Sequence, residues 1–288
     1  MTRLSRSLLK RILRALKKKL KKNQKKLTKH KKHKQLTKHK KFRQLTKQTI
    51  ATDFIAMTIG ERYKEVKRRA DDAAARSGRD PADVKLVAVT KTHTAAEINE
   101  AIEAGAADIG ENRVQELLEK YDDVNPVRWH LIGHLQTNKV RQVIDRVVMI
   151  HSVDSLKLAR EIDKRAAAAG IRMDVLIEIN SAMEETKSGI AAADLKQLVT
   201  EITEECSNVR VCGIMCIPPI AAEPEDSRPY FREAAELFKD MKSWKLPEER
   251  FAPTELSMGM SGDFEVAIEE GATIVRVGSS IFGPRNYR

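Results

Sequence analysis

The chain has 288 residues and a formal charge of +12, but its charge is divided unevenly. Residues 1–52 contain 21 of the 53 lysines and arginines and none of the 41 acidic residues, so residues 53–288 carry a formal charge of −9. No apolar run approaches the roughly 18 residues of a membrane span, and the N-terminus lacks the apolar core of a secretory signal. These totals predict a cytoplasmic, acidic globular body with a basic extension.

Residues 1–56 form the first predicted unit, a Lys/His-rich extension. Residues 8–20 (LLKRILRALKKKL) have the spacing of a basic amphipathic helix, and a nine-residue repeat begins at Leu27, Leu36 and Leu45. The repeat has little apolar surface to bury, so we expect disorder or isolated helix there.

Three interpretations of this extension stay open. It is a transit peptide, a tail that binds nucleic acid or an anionic membrane through residues 1–52, or leader sequence upstream of a natural start at Met57. We favour the leader, because an ordinary mixed-charge helix (MTIGERYKEVKRRADDAAARSG) begins at Met57.

The second predicted unit, 57–288, alternates between short β-branched runs and amphipathic stretches. Several runs are continuously apolar, as in a parallel sheet that is covered on both faces. The predicted strands are 84–91, 107–112, 128–133, 146–153, 173–180, 209–217, 254–260 and 272–279.

Helix signals separate these strands. Thr94 and Glu97 form a capping box at the start of one helix. Other predicted boundaries are starts at Asp154 and Ser261 and stops at Gly105, Gly170 and Gly271.

Eight such alternations predict a (β/α)8 TIM barrel, an α/β fold. An open doubly wound sheet is the alternative, but no GxGxxG turn follows a predicted strand. In a barrel the carboxyl ends of the strands converge on the active face. Those ends supply one lysine, several polar side chains and two Gly/Ser-rich turns.

Lys91 is the lysine, and it follows an apolar strand directly. It has two interpretations: the first solvated residue after a strand, or a nucleophile at the barrel mouth. The turns around Ser261, Gly278 and Ser279 are tight turns or a phosphate site. Together with Arg276 this set suits pyridoxal phosphate, which needs an amine, an anion site and a partner for its pyridine nitrogen.

The other reactive side chains do not form a recognisable centre. His130, His134 and His151 lack metal-ligand spacing and are interpreted as packing or hydrogen-bonding residues. Cys206, Cys212 and Cys216 lack zinc spacing and are interpreted as buried thiols. No metal site is predicted.

Seven motifs, in order, resemble the pyridoxal phosphate homeostasis proteins. They are LVAVTKT, IGENRVQE, WHLIGHLQTNK, HSVDSLKLA, IEINSAMEETKSGI, GIMCI and LSMGMSGDFEVAIEEGATIVRVGSSIFG. The resemblance runs from about Ile59 to Tyr287 and leaves the extension unmatched. It implies a barrel of the alanine racemase barrel-domain type, without the second domain of that enzyme.

The resemblance also implies residue roles. Lys91 would form a Schiff base with the cofactor, Arg276 would face the pyridine nitrogen, and Ser261 with the Gly278 and Ser279 backbone would hold the phosphate. Asn112, His130 and Met258 would surround the ring. Lys187 resembles a family lysine near the site, or is a solvated loop residue.

The implied function is to hold pyridoxal 5'-phosphate and transfer it within cells, with no established turnover. Apo enzymes that use this cofactor are the candidate partners. The alternative is a racemase-like enzyme. Racemisation needs two acid/base groups on opposite faces of the substrate carbon. In alanine racemase a tyrosine outside the barrel domain supplies the second one, and none of the four tyrosines here ends a predicted strand.

Overall fold

A computed structural model describes residues 57–181, 188–219 and 221–284. The predictions for residues 1–56 and the prediction for Lys187 lie outside the described residues. No helix within the described part is long and apolar enough to cross a membrane.

Eight parallel strands close into a barrel in sequence order, β1 pairing with both β2 and β8. This confirms the predicted fold. The strands are β1 (Lys85–Val89), β2 (Asp108–Glu111), β3 (Arg128–Leu131), β4 (Met149–Val153), β5 (Met173–Ile179), β6 (Val209–Cys216), β7 (Phe251–Ser257) and β8 (Ile274–Val277).

Helices surround the barrel, and the connection from β3 to β4 contains a 3-10 helix where the others carry α-helices. The α-helices are α1 (Ile59–Arg76), α2 (Ala95–Glu103), α3 (Val114–Lys120), α4 (Leu156–Ala169), α5 (Leu195–Glu205), α6 (Arg228–Met241), α7 (Phe264–Glu269) and α8 (Ser279–Phe282). The 3-10 helices are Pro81–Asp83, Tyr121–Asp123, Thr137–Gln142, Ala192–Asp194 and Pro224–Ser227.

The helix signals are confirmed at four of the six predicted boundaries and wrong at the other two. Gly105 and Gly271 directly follow the C-cap residues of α2 and α7, with φ of 111° and 104°. The Thr94–Glu97 capping box starts α2, and Gly170 ends α4 in the left-handed conformation. The N-cap of α4 is Ser155 and not Asp154, because the Ser155 hydroxyl accepts the Leu158 N–H.

The second wrong start is Ser261, two residues before the true cap of α7 at Asp263. The Ser261 hydroxyl cannot cap α7, because it accepts N–H groups of the β8 loop instead. Asp263 Oδ1 accepts the Met260 N–H at 2.7 Å and shapes the turn before the helix.

The core has two layers. A large apolar layer fills the space between strands and helices, and a small cluster closes the barrel interior. The interior cluster is Val87, Met149, Leu176, Cys212, Met215 and Ile274. All three cysteines are buried, as predicted. Because the apolar cluster is small, polar side chains occupy the rest of the barrel interior, up to the carboxyl ends of the strands.

Candidate functional site

A cavity of about 300 Å³ opens at the carboxyl ends of the strands. Six residues predicted from sequence line it: Lys91, Asn112, Ser261, Arg276, Gly278 and Ser279. The remaining wall is mostly apolar and comes from Val89, Ile132, Ile217 and Met260, with Gly262. Among the described residues, the lining therefore combines one amine, one guanidinium and hydroxyl groups with a partly apolar wall.

Lys91 lies on a constrained turn after β1. Its neighbour Thr92 has φ 67°, a left-handed conformation that a β-branched residue rarely adopts. Helix α3 holds this turn, since the Thr92 N–H donates to Glu116 Oε2 at 2.7 Å and Lys120 Nζ donates to the Thr90 carbonyl at 3.0 Å. The strain of such a residue, about 1–3 kcal/mol, is sustained only where neighbours fix the conformation.

Below the turn, Glu111 is a fully buried carboxyl group. Its Oε1 accepts hydrogen bonds from the Thr90 hydroxyl at 2.7 Å and from Lys120 Nζ at 2.8 Å. Burial raises the pKa of Glu111, and the charge of Lys120 opposes that rise. The Lys91 turn is thus tied to a buried ion pair.

Arg276 enters the cavity from β8 and is only 4% exposed. Its Nη1 donates to the Ser257 hydroxyl at 2.6 Å, and its Nη2 donates to the Cys216 carbonyl at 3.0 Å. Burial lowers its pKa, but the ordinary value of a guanidinium is so high that Arg276 stays charged. Two fixed acceptors therefore orient a buried cation at the cavity wall.

Ser261 and the start of α8 meet at the cavity wall beside the end of β1. The Ser261 hydroxyl accepts the N–H groups of Gly278 at 3.1 Å and Ser280 at 3.3 Å. Gly278 also packs closely, because a Cβ there would lie 3.3 Å from the Cβ of Val89. The Ser261 hydroxyl accepts both N–H groups and still has its own O–H to donate, which suits an anion at the cavity wall.

Asn112 contributes an unpaired acceptor to the same cavity. Its Oδ1 is buried and has no hydrogen-bond partner among the described residues. Buried polar atoms are normally paired, so this one suits a ligand that donates a hydrogen bond.

Two predicted ring contacts lie outside the cavity lining. His130 is in the barrel interior, bonded to Asp108 and His151, and Met258 is fully buried in the layer between strands and helices. His134 lies in a loop, where its Nδ1 is 3.8 Å from Asp154 Oδ2. The prediction that the histidines are packing or hydrogen-bonding residues is confirmed for His130 and His151.

Sequence reasoning missed Ser257, Glu111 and Lys120 as supports of the site. Ser257 ends β7 and Glu111 ends β2, so the rule that strand ends converge at the active face could have identified both as supports. The positions of Lys120 and Glu111 in the sequence did not indicate that they pair, because the pair forms only when α3 packs beside β2.

Comparison with known proteins identifies the family. Residues 63–286 match the family described as alanine racemase, N-terminal domain. The pyridoxal phosphate homeostasis protein of Aquifex aeolicus is 48% identical over 233 residues, which cover 80% of this chain and 100% of that protein. This chain belongs to the pyridoxal phosphate homeostasis protein family. The resemblance of the seven motifs is confirmed.

Solved structures that are similar to this chain include PipY of Synechococcus elongatus, determined both without PLP and with PLP bound. PipY of Synechococcus elongatus with PLP bound is 35% identical, with a TM-score of 0.63 over 78% of this chain and 100% of that chain. Alanine racemase of Streptomyces lavendulae is 22% identical, with a TM-score of 0.59 over 77% of this chain and 58% of that chain, and shares the fold.

Proposed function

We propose that this protein binds pyridoxal 5'-phosphate through a Schiff base to Lys91 and acts as an intracellular carrier of that cofactor. The observation that carries the proposal is the cavity itself, which gathers Lys91, Arg276 and the Ser261–Gly278 donor cluster on one surface. Bound pyridoxal phosphate supplies an aldehyde for the amine and a ring that accepts electrons.

The residues of the cavity fit the three parts of this ligand. Lys91 provides the amine, and Ser261 with the amides of Gly278 and Ser279 provides an anion site. Arg276 would face the pyridine nitrogen and leave it unprotonated, which would make the ring a weaker electron sink than a carboxylate partner does. Asn112 offers its unpaired Oδ1 to the ring substituents, and Lys187 is proposed as a second lysine near the site.

We propose a carrier without turnover, acting in the cytoplasm, rather than a racemase. Among the described residues, the tyrosines Tyr63, Tyr121 and Tyr230 lie outside the cavity lining. A second acid/base group opposite Lys91 is what a racemase would add.

Lys91→Ala tests the attachment. We expect wild-type protein to show visible absorbance after incubation with pyridoxal phosphate, and Lys91→Ala to lose it. Lys85→Ala, on the same strand at the opposite end of the barrel, should keep it. Borohydride reduction followed by peptide mass spectrometry should place the added mass on the peptide that contains Lys91.

Two results would contradict the proposal. A wild-type protein that is colourless after free cofactor has been removed would exclude the Schiff base, and a reduced adduct on another lysine would exclude Lys91 as the attachment point. Exchange of an amino acid's α-hydrogen at rates typical of enzymes, abolished in Lys91→Ala, would favour the racemase alternative.

A further inference from the structure

A continuous row of hydrogen-bonded side chains runs through the barrel interior beneath the cavity. Arg276 Nη1 donates to Ser257 Oγ at 2.6 Å, and Ser257 Oγ lies 3.1 Å from His151 Nδ1. His151 Nε2 lies 2.9 Å from His130 Nδ1, and His130 Nε2 lies 3.0 Å from Asp108 Oδ1. We call these five residues the interior row.

Each end of the interior row has a fixed hydrogen-bonding role, as donor or as acceptor. Arg276 only donates hydrogen bonds, and the ionised carboxylate of Asp108 only accepts them. Burial alone would raise the pKa of Asp108, but hydrogen bonds from His130 and Arg128 lower it to about 2, so this carboxylate is ionised at neutral pH.

With both histidines neutral, the two ends allow only one direction through the middle. His130 donates from Nε2 to Asp108, so a neutral His130 accepts at Nδ1 from the Nε2–H of His151. A neutral His151 then accepts at Nδ1 from the hydroxyl of Ser257. Burial lowers the pKa of His151 well below its ordinary value, which agrees with a neutral ring.

The hydroxyl of Ser257 supports the same direction independently. Ser257 is fully buried, and its oxygen already accepts from Arg276. His151 Nδ1 is the other polar atom within hydrogen-bond distance in the described structure. A reversed row would leave the buried O–H without an acceptor, which costs about 1–3 kcal/mol.

We propose that His151 and His130 are positioning residues for Arg276. His151 holds the Ser257 hydroxyl so that its oxygen faces the guanidinium, and His130 with Asp108 holds His151 in the Nε2–H tautomer. The five residues span strands β8, β7, β4, β3 and β2, so the orientation of one cavity residue depends on more than half of the barrel.

The opposite side of the barrel provides an internal control. Arg128 forms a bidentate pair with Asp108, with bonds of 2.7 and 2.6 Å. Arg210 forms a pair of the same geometry with Asp174, also with bonds of 2.7 and 2.6 Å. Only Asp108 contacts a histidine of the interior row in the described structure, so the two aspartates differ in this connection.

The direction of the row can be tested without a cofactor. Nitrogen-15 NMR of the full chain, labelled in histidine, should show His151 and His130 protonated at Nε2 and unprotonated at Nδ1. A scalar coupling between His151 Nε2 and His130 Nδ1 should report the bond between them. Protonation of either ring at Nδ1, or absence of the coupling, would overturn the proposal.

Variants test the positioning of Arg276, and this step rests on the proposed cofactor function. His151→Leu removes the acceptor and should weaken pyridoxal phosphate binding about tenfold, the effect of about 1.4 kcal/mol. His151→Asn keeps an oxygen near the Nδ1 position and should recover most of that loss.

Asp108→Ala should weaken binding more than Asp174→Ala, because only Asp108 of these two belongs to the interior row. Equal affinity for wild type and His151→Leu would overturn the positioning role.

The two proposals fail in different ways. If wild-type protein binds no cofactor, the proposed function fails while the NMR result still decides the direction of the row. If wild-type protein binds the cofactor and the His151 variants bind it equally, only the positioning proposal fails.

Discussion

Glu178 shows how burial of one carboxyl group couples stability to pH. It lies on β5, is 7% exposed, and its Oε2 has no partner in the described structure. Burial, with the nearby charge of Asp154, raises its pKa from 4.5 to about 7 despite the opposing charge of Arg276. The folded protein therefore holds a proton that the unfolded chain releases, and this contribution to stability is lost as the pH rises from 4.5 through 7.

We expect Glu178→Gln to remove that loss. Between pH 5 and pH 8, the free energy of unfolding of the wild type should fall relative to that of Glu178→Gln by on the order of 2 kcal/mol. Urea denaturation at both pH values measures it. Glu248→Gln, at an exposed position, serves as the control and should show no such gain. A Glu178→Gln difference that is the same at both pH values would contradict this account.

At the scale of elements, α3 holds the turn that carries Lys91. Lys120 lies at the end of α3, where its ammonium group contacts Glu111 at 2.8 Å and the Thr90 carbonyl at 3.0 Å. The side chain of Lys120 is 12% exposed and that of Glu111 is fully buried, so neither charge is screened well by water. Loss of one partner leaves a buried charge without compensation.

Lys120→Met should therefore lower the free energy of unfolding by about 3 kcal/mol, as expected when one partner of a buried ion pair is removed. The double variant Glu111→Gln with Lys120→Met should recover much of this loss, because no unpaired charge remains. Chemical denaturation at pH 7 measures both. A double variant as unstable as Lys120→Met alone would show that lost packing, and not the uncompensated buried charge of Glu111, explains the effect.

At the scale of the whole molecule, the charge of the chain separates by sequence position. Residues 1–52 hold 21 basic residues and no acidic one, whereas the remainder is acidic. A polyanion such as RNA would therefore bind the extension and be repelled by the rest of the molecule. The high overall pI of the protein says nothing about the cofactor site.

We expect the full chain to bind single-stranded RNA with an affinity that falls on the order of 1,000-fold between 50 and 200 mM salt, as for about seven phosphate contacts on a single strand. A protein starting at Met57 should lose this binding and keep the visible absorbance given by pyridoxal phosphate. Fluorescence anisotropy with a labelled oligonucleotide measures the affinity. RNA binding that survives removal of residues 1–56 would place the interaction on the barrel.

Sequence reasoning located the barrel and most of its cavity because both follow from local patterns. Alternating apolar runs and amphipathic stretches predict the fold, and strand ends in such a fold must converge. Six predicted residues, among them Lys91 and Arg276, line one cavity for this reason. Helix starts were less predictable, since Asp154 and Ser155 are adjacent candidates and only backbone geometry chose Ser155.

By itself, the sequence determined the fold class, the face of the barrel that carries the cavity, and the division of charge between extension and body. Only the tertiary structure decided which polar residues meet inside the barrel. His151 and Ser257 are 106 residues apart in sequence and become partners through barrel closure. Their pairing depends on the register of strands that are remote in sequence, and no local pattern encodes that register.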